Sequence, residues 1–441
     1  MRTAALHNLG CKVNAYETEA MRQSLEENGY KIVPFSEKAD VYIINTCTVT
    51  NIADRKSRQM LHRAKKLNPD SVVVAVGCYV QAAGEELKKD EAIDIIVGNN
   101  NKSDIVGILE AYYESDNNTF IDDISRSSHY DEMKMTTQGD HTRAFIKIQD
   151  GCNQFCTYCI IPYARGRIRS RSLDDIRSEI SKLAQCGYRE IVLTGIHLSS
   201  YGKDLSDDDR KISLIDAIKT VNDIEGIERI RLGSLEPGII TEEFLDELKH
   251  AGKFCPHFHL SLQSGCEDTL KRMNRHYTPV EYLEKCSMIR KHFDRPAITT
   301  DVIVGFPGET EEEFTKTKEF LEKAAFAEMH IFKYSKRKGT VAAKIDNQIQ
   351  EEVKAVRSDV LMELGEKMKE EYTDSFIGEI KEVLMEEETE IDGVKYMVGH
   401  TREYVRIAVV GDSGLGNKMA DVKVKKRINN EILLADIQKM Y

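Results

Sequence analysis

The sequence predicts an α/β protein: an N-terminal doubly wound parallel sheet, a central partial (β/α)6 barrel and a small C-terminal β-barrel. Three observations carry this. Short apolar runs alternate with helix-periodic stretches over residues 1–113 and again from Arg143 to His330, the order that builds parallel sheets. From about Ser375 to Tyr441, short strand-like runs are separated by Gly and Asn, as in a small barrel. The length, 441 residues, exceeds what one core organises. The expected divisions are 1–113, a linker at 114–141, 142–374 and 375–441.

In the first part, Arg2–Leu9, Val41–Asn45 and Ser71–Val76 read as strands. The last is nearly all valine, as in a strand buried on both faces. Glu17–Asn28 and Ile52–Leu67 read as helices, stopped by Gly29 and by Asn68-Pro69. The stretch 114–141 is polar, with a short strand at Phe120–Ile124. The central strands are expected at Ala144–Gln149, Glu190–Thr194, Arg229–Gly233, His257–Leu262, Thr299–Val304 and Glu328–Lys333. Helices such as Leu173–Gln185, Thr241–His250, Pro279–Phe293 and Glu311–Ala324 fill the gaps. In such a barrel the loops at strand C-termini carry the site. Val353, Val356, Val360, Leu364, Met368 and Tyr372 form a helical stripe that packs on the barrel. Tyr404–Val410 and Glu431–Ala435 are strands of the last part.

Apolar residues at 41% and charged residues at 31% place the chain among soluble globular proteins. No apolar run approaches the roughly 18 residues of a membrane span, and the N-terminal apolar stretch is too short for a secretory signal. Ten cysteines in such a chain favour metal chemistry in a reducing, cytoplasmic setting over disulfides. The net charge of −12 speaks against polyanion binding by bulk charge, so local clusters matter. These are Arg55-Lys56-Ser57-Arg58 with Arg63, Lys65 and Lys66; Arg165, Arg167, Arg169 and Arg171; and Lys423, Lys425, Lys426 and Arg427.

Cys152, Cys156 and Cys159 stand at C-x3-C-x2-C spacing with Tyr158 inside. Three thiolates this close can hold three irons of a [4Fe–4S] cube. The fourth iron is then open to a small molecule with an amine and a carboxylate, such as S-adenosylmethionine (SAM). A structural zinc site needs four closed ligands and fits poorly. A second triplet is spread out. Cys11, Cys47 and Cys78 each follow a predicted strand, and loops after adjacent parallel strands converge on one crevice. Cys186, Cys255, Cys266 and Cys286 show no such pattern and read as packing residues. Asp207-Asp208-Asp209 reads as a solvated loop.

The C-x3-C-x2-C stretch resembles the radical-SAM signature. Both triplets together resemble the radical-SAM methylthiotransferases, along essentially the whole chain. The matching motifs are Leu9-Gly10-Cys11-Lys12-Val13-Asn14, Asn45-Thr46-Cys47-Thr48-Val49-Thr50, Leu260-Ser261-Leu262-Gln263-Ser264-Gly265 and Asp301–Thr310. Of the family's branches, Lys12-Val13 and the stretch after Cys47 resemble the one acting on N6-threonylcarbamoyladenosine in tRNA. The isopentenyladenosine branch typically carries Gln-Met there, and the ribosomal-protein branch Pro-Lys.

The resemblance implies two [4Fe–4S] clusters, SAM, a tRNA anticodon loop as partner, an electron donor such as a flavodoxin or ferredoxin, and a sulfur source. It implies replacement of an unreactive C–H at adenine C2 by a methylthio group, which needs a radical that a cofactor supplies. The C-terminal barrel would be a TRAM domain, an RNA-binding module, with no membrane tail after it. Candidate SAM contacts are the backbone of Tyr158 in the cysteine loop and, at strand ends, Gly195, Ser234, Glu236 and Gln263; His197 reads as a loop histidine. No catalytic residue is assigned beyond the cluster ligands. Candidate RNA contacts are Arg165, Arg167, Arg169 and Arg171, then Lys423, Lys425, Lys426 and Arg427. Arg143, Arg165 and neighbouring arginines are candidates to pair with the threonyl carboxylate. The competing expectations are the isopentenyl branch, the ribosomal-protein aspartate branch, and a non-enzymatic two-cluster electron-transfer protein or RNA-binding sensor.

Overall fold

The computed structural model describes residues 1–115, 118–125, 127, 129–135, 142–206 and 211–441. Asp207, Asp208 and Asp209, and part of the stretch 114–141, lie outside the described residues.

The N-terminal sheet is all parallel, with strands in the order Lys31–Ile32, Thr3–Asn8, Val41–Thr46, Val72–Gly77, Ile95–Val97 and Thr119–Phe120. Its strands alternate strictly. Val41, Ile43, Val74 and Val76 face helices Lys12–Glu27 and Ile105–Ser115. Tyr42, Ile44, Val73 and Ala75 face helices Asn51–Leu67 and Cys78–Leu87 on the other side. This two-residue period is what a strand covered on both faces requires. The chain reverses its winding between Thr3–Asn8 and Val41–Thr46, and ligand crevices lie at such a switch point.

Six parallel strands form the central arc: Arg143–Asp150, Glu190–Gly195, Arg229–Leu232, His257–His259, Ala297–Val304 and Glu328–Lys333. All six were expected. Isolated bridges, Ile230 to Phe254 and Leu235 to Leu260, join its two halves. A short antiparallel strand, Arg169–Ser170, edges the first strand. The helix Glu351–Asp374 lies along the last strand. Its stripe departs from expectation in the first turns: Val353 and Val356 are exposed, and Leu361 takes their place in the core.

The described part of 114–141 alternates exposed polar residues with buried anchors. Tyr130, Met133 and Met135 are buried, and the Tyr130 hydroxyl donates to Lys147 O at 2.7 Å.

The C-terminal strands Ile380–Ile391, Val394–Thr401, Arg406–Val410, Leu433–Met440 and Met419–Arg427 close a barrel in that order. It is bolted to the lower end of the central arc. Arg229 donates to His400 O at 2.7 Å, and Arg231 donates to Thr401 O at 2.7 Å and Arg402 O at 2.9 Å. The Tyr404 ring stacks on His257 with centroids 4.6 Å apart. Glu190 gathers Arg143, Arg229 and Arg231 beneath this contact. Burial works against the Glu190 charge, but Arg231, Arg143 and Arg229 overrule it and bring its carboxyl down to about 2.

Candidate active site between two cysteine sets

Two of the spread cysteines stand at helix starts. Cys11 caps the helix Lys12–Glu27, and Cys78 opens the helix Cys78–Leu87. The positive end of a helix favours a thiolate. Cys47 follows the strand Val41–Thr46, so Cys11 and Cys47 flank the switch point. Glycine precedes Cys11 and Cys78 for a steric reason. A Cβ on Gly10 would come within 2.9 Å of Cys47 Cβ and Sγ, and one on Gly77 within 2.6 Å of Asn45 Oδ1. Both glycines also hold positive φ, 106° and 101°. The three loops therefore close on one another. Burial, with Cys78 and Cys11 nearby, pushes the Cys47 thiol up to about 12.

Cys152, Cys156 and Cys159 lie on an irregular loop after the first barrel strand. Asn274 Nδ2 donates to Gln154 O and Phe155 O, at 3.3 and 3.2 Å, and Thr157 N donates to Met273 O at 3.0 Å. Burial pushes Cys152 up to about 11 and Cys159 to about 12. Arg275 Nη1 donates to Cys156 Sγ at 3.4 Å, and its Nη2 to Glu236 Oε2 at 2.5 Å. Each set thus offers three neighbouring cysteines with a guanidinium aimed at one sulfur, an arrangement that would suit an anionic iron–sulfur cluster. Bound iron removes the thiol proton that burial otherwise retains.

The candidate SAM residues lie at the ends of the barrel strands or in the loops that follow them. Tyr158 packs edge-on against Phe306, centroids 6.4 Å apart. Glu236 is held by Arg275, and Gln263 sits at φ 72° where its backbone pairs with Asp301 O and Ile303 N. Gly195 lies against Gln149, whose Cβ a Gly195 side chain would meet at 2.9 Å; Ser234 is exposed. His197 is buried, with Nδ1 at 2.7 Å from Ser200 Oγ and Nε2 at 3.8 Å from Glu236 Oε1. Burial lowers its pKa, opposed by Glu236. The sequence did not point to Arg275. It lies in an unremarkable connection between two helices, and only the fold brings it to Cys156.

A buried ionic knot joins the two sets. Arg165 Nε donates to Cys78 Sγ at 3.2 Å, its Nη1 to Glu17 Oε1 at 2.9 Å and Asp150 Oδ1 at 3.0 Å, and its Nη2 to Asn14 Oδ1 at 2.7 Å. Lys102 and Lys147 complete the pairing of Glu17. This corrects the expected RNA contacts. Arg165, Arg169 and Arg171 are buried at 0%, 1% and 1% exposure, with carboxylate partners Asp150 and Glu179, and cannot reach a phosphate; Arg167 is exposed. Arg427 is likewise engaged, by Asp374 Oδ1 at 2.7 Å and Thr373 Oγ1 at 2.7 Å. Lys423, Lys425 and Lys426 are exposed, and Lys425 pairs with Asp436. Arg143 is occupied by Glu190 and Glu386, so neither Arg143 nor Arg165 is free to take a substrate carboxylate. Cys255, Cys266 and Cys286 are buried and Cys186 half-buried, as packing residues are.

A second clamp crosses from the barrel to the stretch after Cys47. Arg337 Nη2 donates to Asp54 Oδ2 at 2.6 Å and Thr48 Oγ1 at 2.7 Å, and its Nη1 to Asn51 Oδ1 at 2.6 Å. Inside the arc, His259 Nε2 lies 3.3 Å from Asp301 Oδ2, with His330 stacked beside His259.

A partial barrel with an open three-thiol loop, faced by a second three-thiol crevice, is a frame for two-cluster radical chemistry. The comparisons agree. The model for the Radical SAM superfamily matches residues 146–321, and that for Uncharacterized protein family UPF0004 matches 3–98. The Threonylcarbamoyladenosine tRNA methylthiotransferase MtaB of Bacillus subtilis is 41% identical over 97% of this chain and 94% of its own. The MtaB of Aquifex aeolicus is 41% identical over 87% and 93%. A tRNA-2-methylthio-N(6)-dimethylallyladenosine synthase of Thermoanaerobacter is 39% identical over 95% and 89%. The chain belongs to the radical-SAM methylthiotransferase family. Among solved structures, the radical SAM methyltransferase TsrM of Kitasatospora setae superposes with a TM-score of 0.55 at 15% identity, over 75% of this chain and 73% of that one, a likeness of fold.

Proposed function

We propose that this enzyme installs a methylthio group at C2 of N6-threonylcarbamoyladenosine beside the anticodon of tRNA. The observation that carries the reading is the joining of two three-cysteine sets through Arg165, in a chain whose relatives include two enzymes of that name. Cys11, Cys47 and Cys78 would hold one [4Fe–4S] cluster, and Cys152, Cys156 and Cys159 the other. When bound, the clusters and SAM supply the one-electron chemistry, the sulfur and the methyl group.

The chain's own residues do the rest. Asn274, Thr157 and Arg275 fix the cysteine loop. Arg275 also orients Glu236, a candidate for the SAM ribose or ammonium, and Gln263 and Tyr158 border the same space. The knot around Glu17 and the Arg337 clamp hold the two sets at fixed separation, so the target base enters between them.

RNA would meet the exposed cations Arg167, Lys423, Lys425 and Lys426, with Arg55 and Lys56 on the helix that follows Cys47. Arg167 lies 4.7 Å over the Phe155 ring, which meets Tyr163 edge-on, an arrangement that stacks unpaired bases. We divide the chain functionally at 1–113, 142–374 and 375–441, with 114–141 between them, and assign the last part to RNA binding. An electron donor such as a flavodoxin or ferredoxin and a sulfur source are needed. Among the described residues no helix is long and apolar enough to cross a membrane. We assign the enzyme to the cytoplasm on the ground of its proposed tRNA substrate.

The test is nucleoside mass spectrometry of tRNA from a strain lacking the gene. Loss of 2-methylthio-N6-threonylcarbamoyladenosine, restored by the gene, supports the reading. Loss of the isopentenyl product instead would assign the other branch.

A further inference from the structure

Lys12 stands where a lysine does nothing for the fold. It is the first residue of the helix Lys12–Glu27, whose first turn has no acidic residue. A cation at a helix N-terminus is opposed by the helix dipole. The side chain is exposed, and among the described residues it has no hydrogen-bond or ion-pair partner. Its ammonium lies 5.9 Å from the Phe145 ring centroid. The charged groups that act on it are Arg143, Arg231, Glu190 and Asp301, which come from the first, third, second and fifth strands of the arc. Lys12 therefore projects past the first strand toward the hollow of the barrel, directly beside Cys11.

Among the described residues, the guanidiniums and carboxylates named around that hollow each have a polar partner. Glu190 is taken by Arg143 and Arg231, Arg143 also by Glu386, and Asp301 by His259. Arg275 is taken by Glu236, Arg165 by Glu17 and Asp150, and Arg337 by Asp54. The Lys12 ammonium has no such partner among the described residues, and it stands among arginines at the edge of the candidate sulfur site. Such a cation is completed by an anion from outside. The substrate proposed above carries one on its modified base, the threonyl carboxylate, whereas an isopentenyl group is neutral and apolar.

We propose that Lys12 binds the carboxylate of the N6-threonylcarbamoyl group and so selects the acidic base over a neutral one. This rests on the substrate reading above. Selection of this kind is steep, because a neutral group leaves the ammonium without its partner.

The probe is an anticodon stem-loop RNA carrying the threonylcarbamoyl group either as the free acid or as its methyl ester. Both forms have the same phosphates, and only the acid has the carboxylate. Dissociation constants are measured on the iron-loaded enzyme without reductant, and kcat/KM with it, for the wild type, Lys12→Gln and Lys12→Arg. Iron content and SAM binding report on integrity. The wild type should favour the acid by roughly ten- to a hundredfold, Lys12→Gln should bring the acid-to-ester ratio near one, and Lys12→Arg should keep most of the preference. An unchanged ratio in Lys12→Gln overturns the proposal. So does an equal loss for acid and ester, which would make Lys12 a phosphate contact. A wild type that methylthiolates the acid RNA while Lys12→Gln keeps its ratio sinks the role of Lys12 alone. A wild type that ignores the acid and turns over isopentenylated RNA sinks the substrate reading and this one with it.

Discussion

Arg165 Nε donates to the sulfur of Cys78 at 3.2 Å, while the rest of the same guanidinium neutralises Glu17 and Asp150 in the interior. One side chain thus ties a strand-end cysteine of the N-terminal sheet to the residues that introduce the barrel's cysteine loop. Removing one partner of a buried ionic network costs about 3–5 kcal/mol. Arg165→Met should therefore unfold at clearly lower urea, and adding Glu17→Gln should recover part of the loss. Equal urea midpoints for wild type and Arg165→Met would mean the knot is idle.

The cysteine sets should separate by iron count. Reconstituted wild type should hold about eight irons, and the Cys152, Cys156 and Cys159 triple alanine variant about four. A full iron load in that variant would contradict the assignment.

Function should divide in the same way. Alanine at Cys11, Cys47 and Cys78 should abolish methylthiolation while leaving reductive cleavage of SAM to 5′-deoxyadenosine, since the proposal gives the open iron to the other set. Absence of 5′-deoxyadenosine from this variant, with its remaining iron intact, would refute the division.

The proposed RNA surface is narrower than the basic runs suggest. Alanine at Lys423, Lys425 and Lys426 should weaken tRNA binding and flatten its salt dependence by about 0.7–0.9 in log–log slope per lost phosphate contact. Arg427→Ala should act instead on stability, through Asp374 and Thr373. If the three lysine changes leave both affinity and slope untouched, that face only meets solvent.

Acid should loosen the junction at Glu190. Its carboxyl is depressed to about 2 in the fold, against about 4.3 for a free glutamate. The stability it supplies is therefore complete above about pH 4.3 and is lost as pH falls from there toward 2. The gap in urea midpoint between wild type and Glu190→Gln should be widest at neutral pH and shrink below pH 4. A gap of constant size from pH 7 to pH 3 would show that the charge is not what Glu190 contributes.

The parts of this molecule legible in the sequence are those that repeat or punctuate. Parallel strands such as Val72–Gly77 announce themselves by continuous burial, and Gly-Cys after a strand marks a loop that must approach its neighbours. Two-residue strands, such as Lys31–Ile32, are too short to carry a period. Charge was the harder signal. Arg165, Arg169 and Arg171 read like a solvated edge, yet each meets a carboxylate: Arg165 reaches Glu17, 148 residues away, Arg169 reaches Asp150, and Arg171 reaches Glu179 in the adjoining helix. No spacing rule reveals that partner. For the same reason Lys12 stood out as a branch marker, but its lack of a partner became visible only once Arg143, Arg231, Glu190 and Asp301 were assembled around it.

The seating of Tyr404 against His257, and of Arg229 and Arg231 against the backbone of residues 400–402, leaves the C-terminal barrel no hinge toward the arc. Lys423 and its neighbours then stand at a set offset from Cys11 and Cys152, and if they grip RNA as proposed above, the molecule would work as a calliper. A stem gripped at the outer jaw would present a nucleotide to the inner one at a fixed count along the strand, so position within the RNA would be measured by the protein's own length rather than read from base identity. Inserting or removing a base pair between grip and target should misplace the reacting base even when every neighbouring letter is kept.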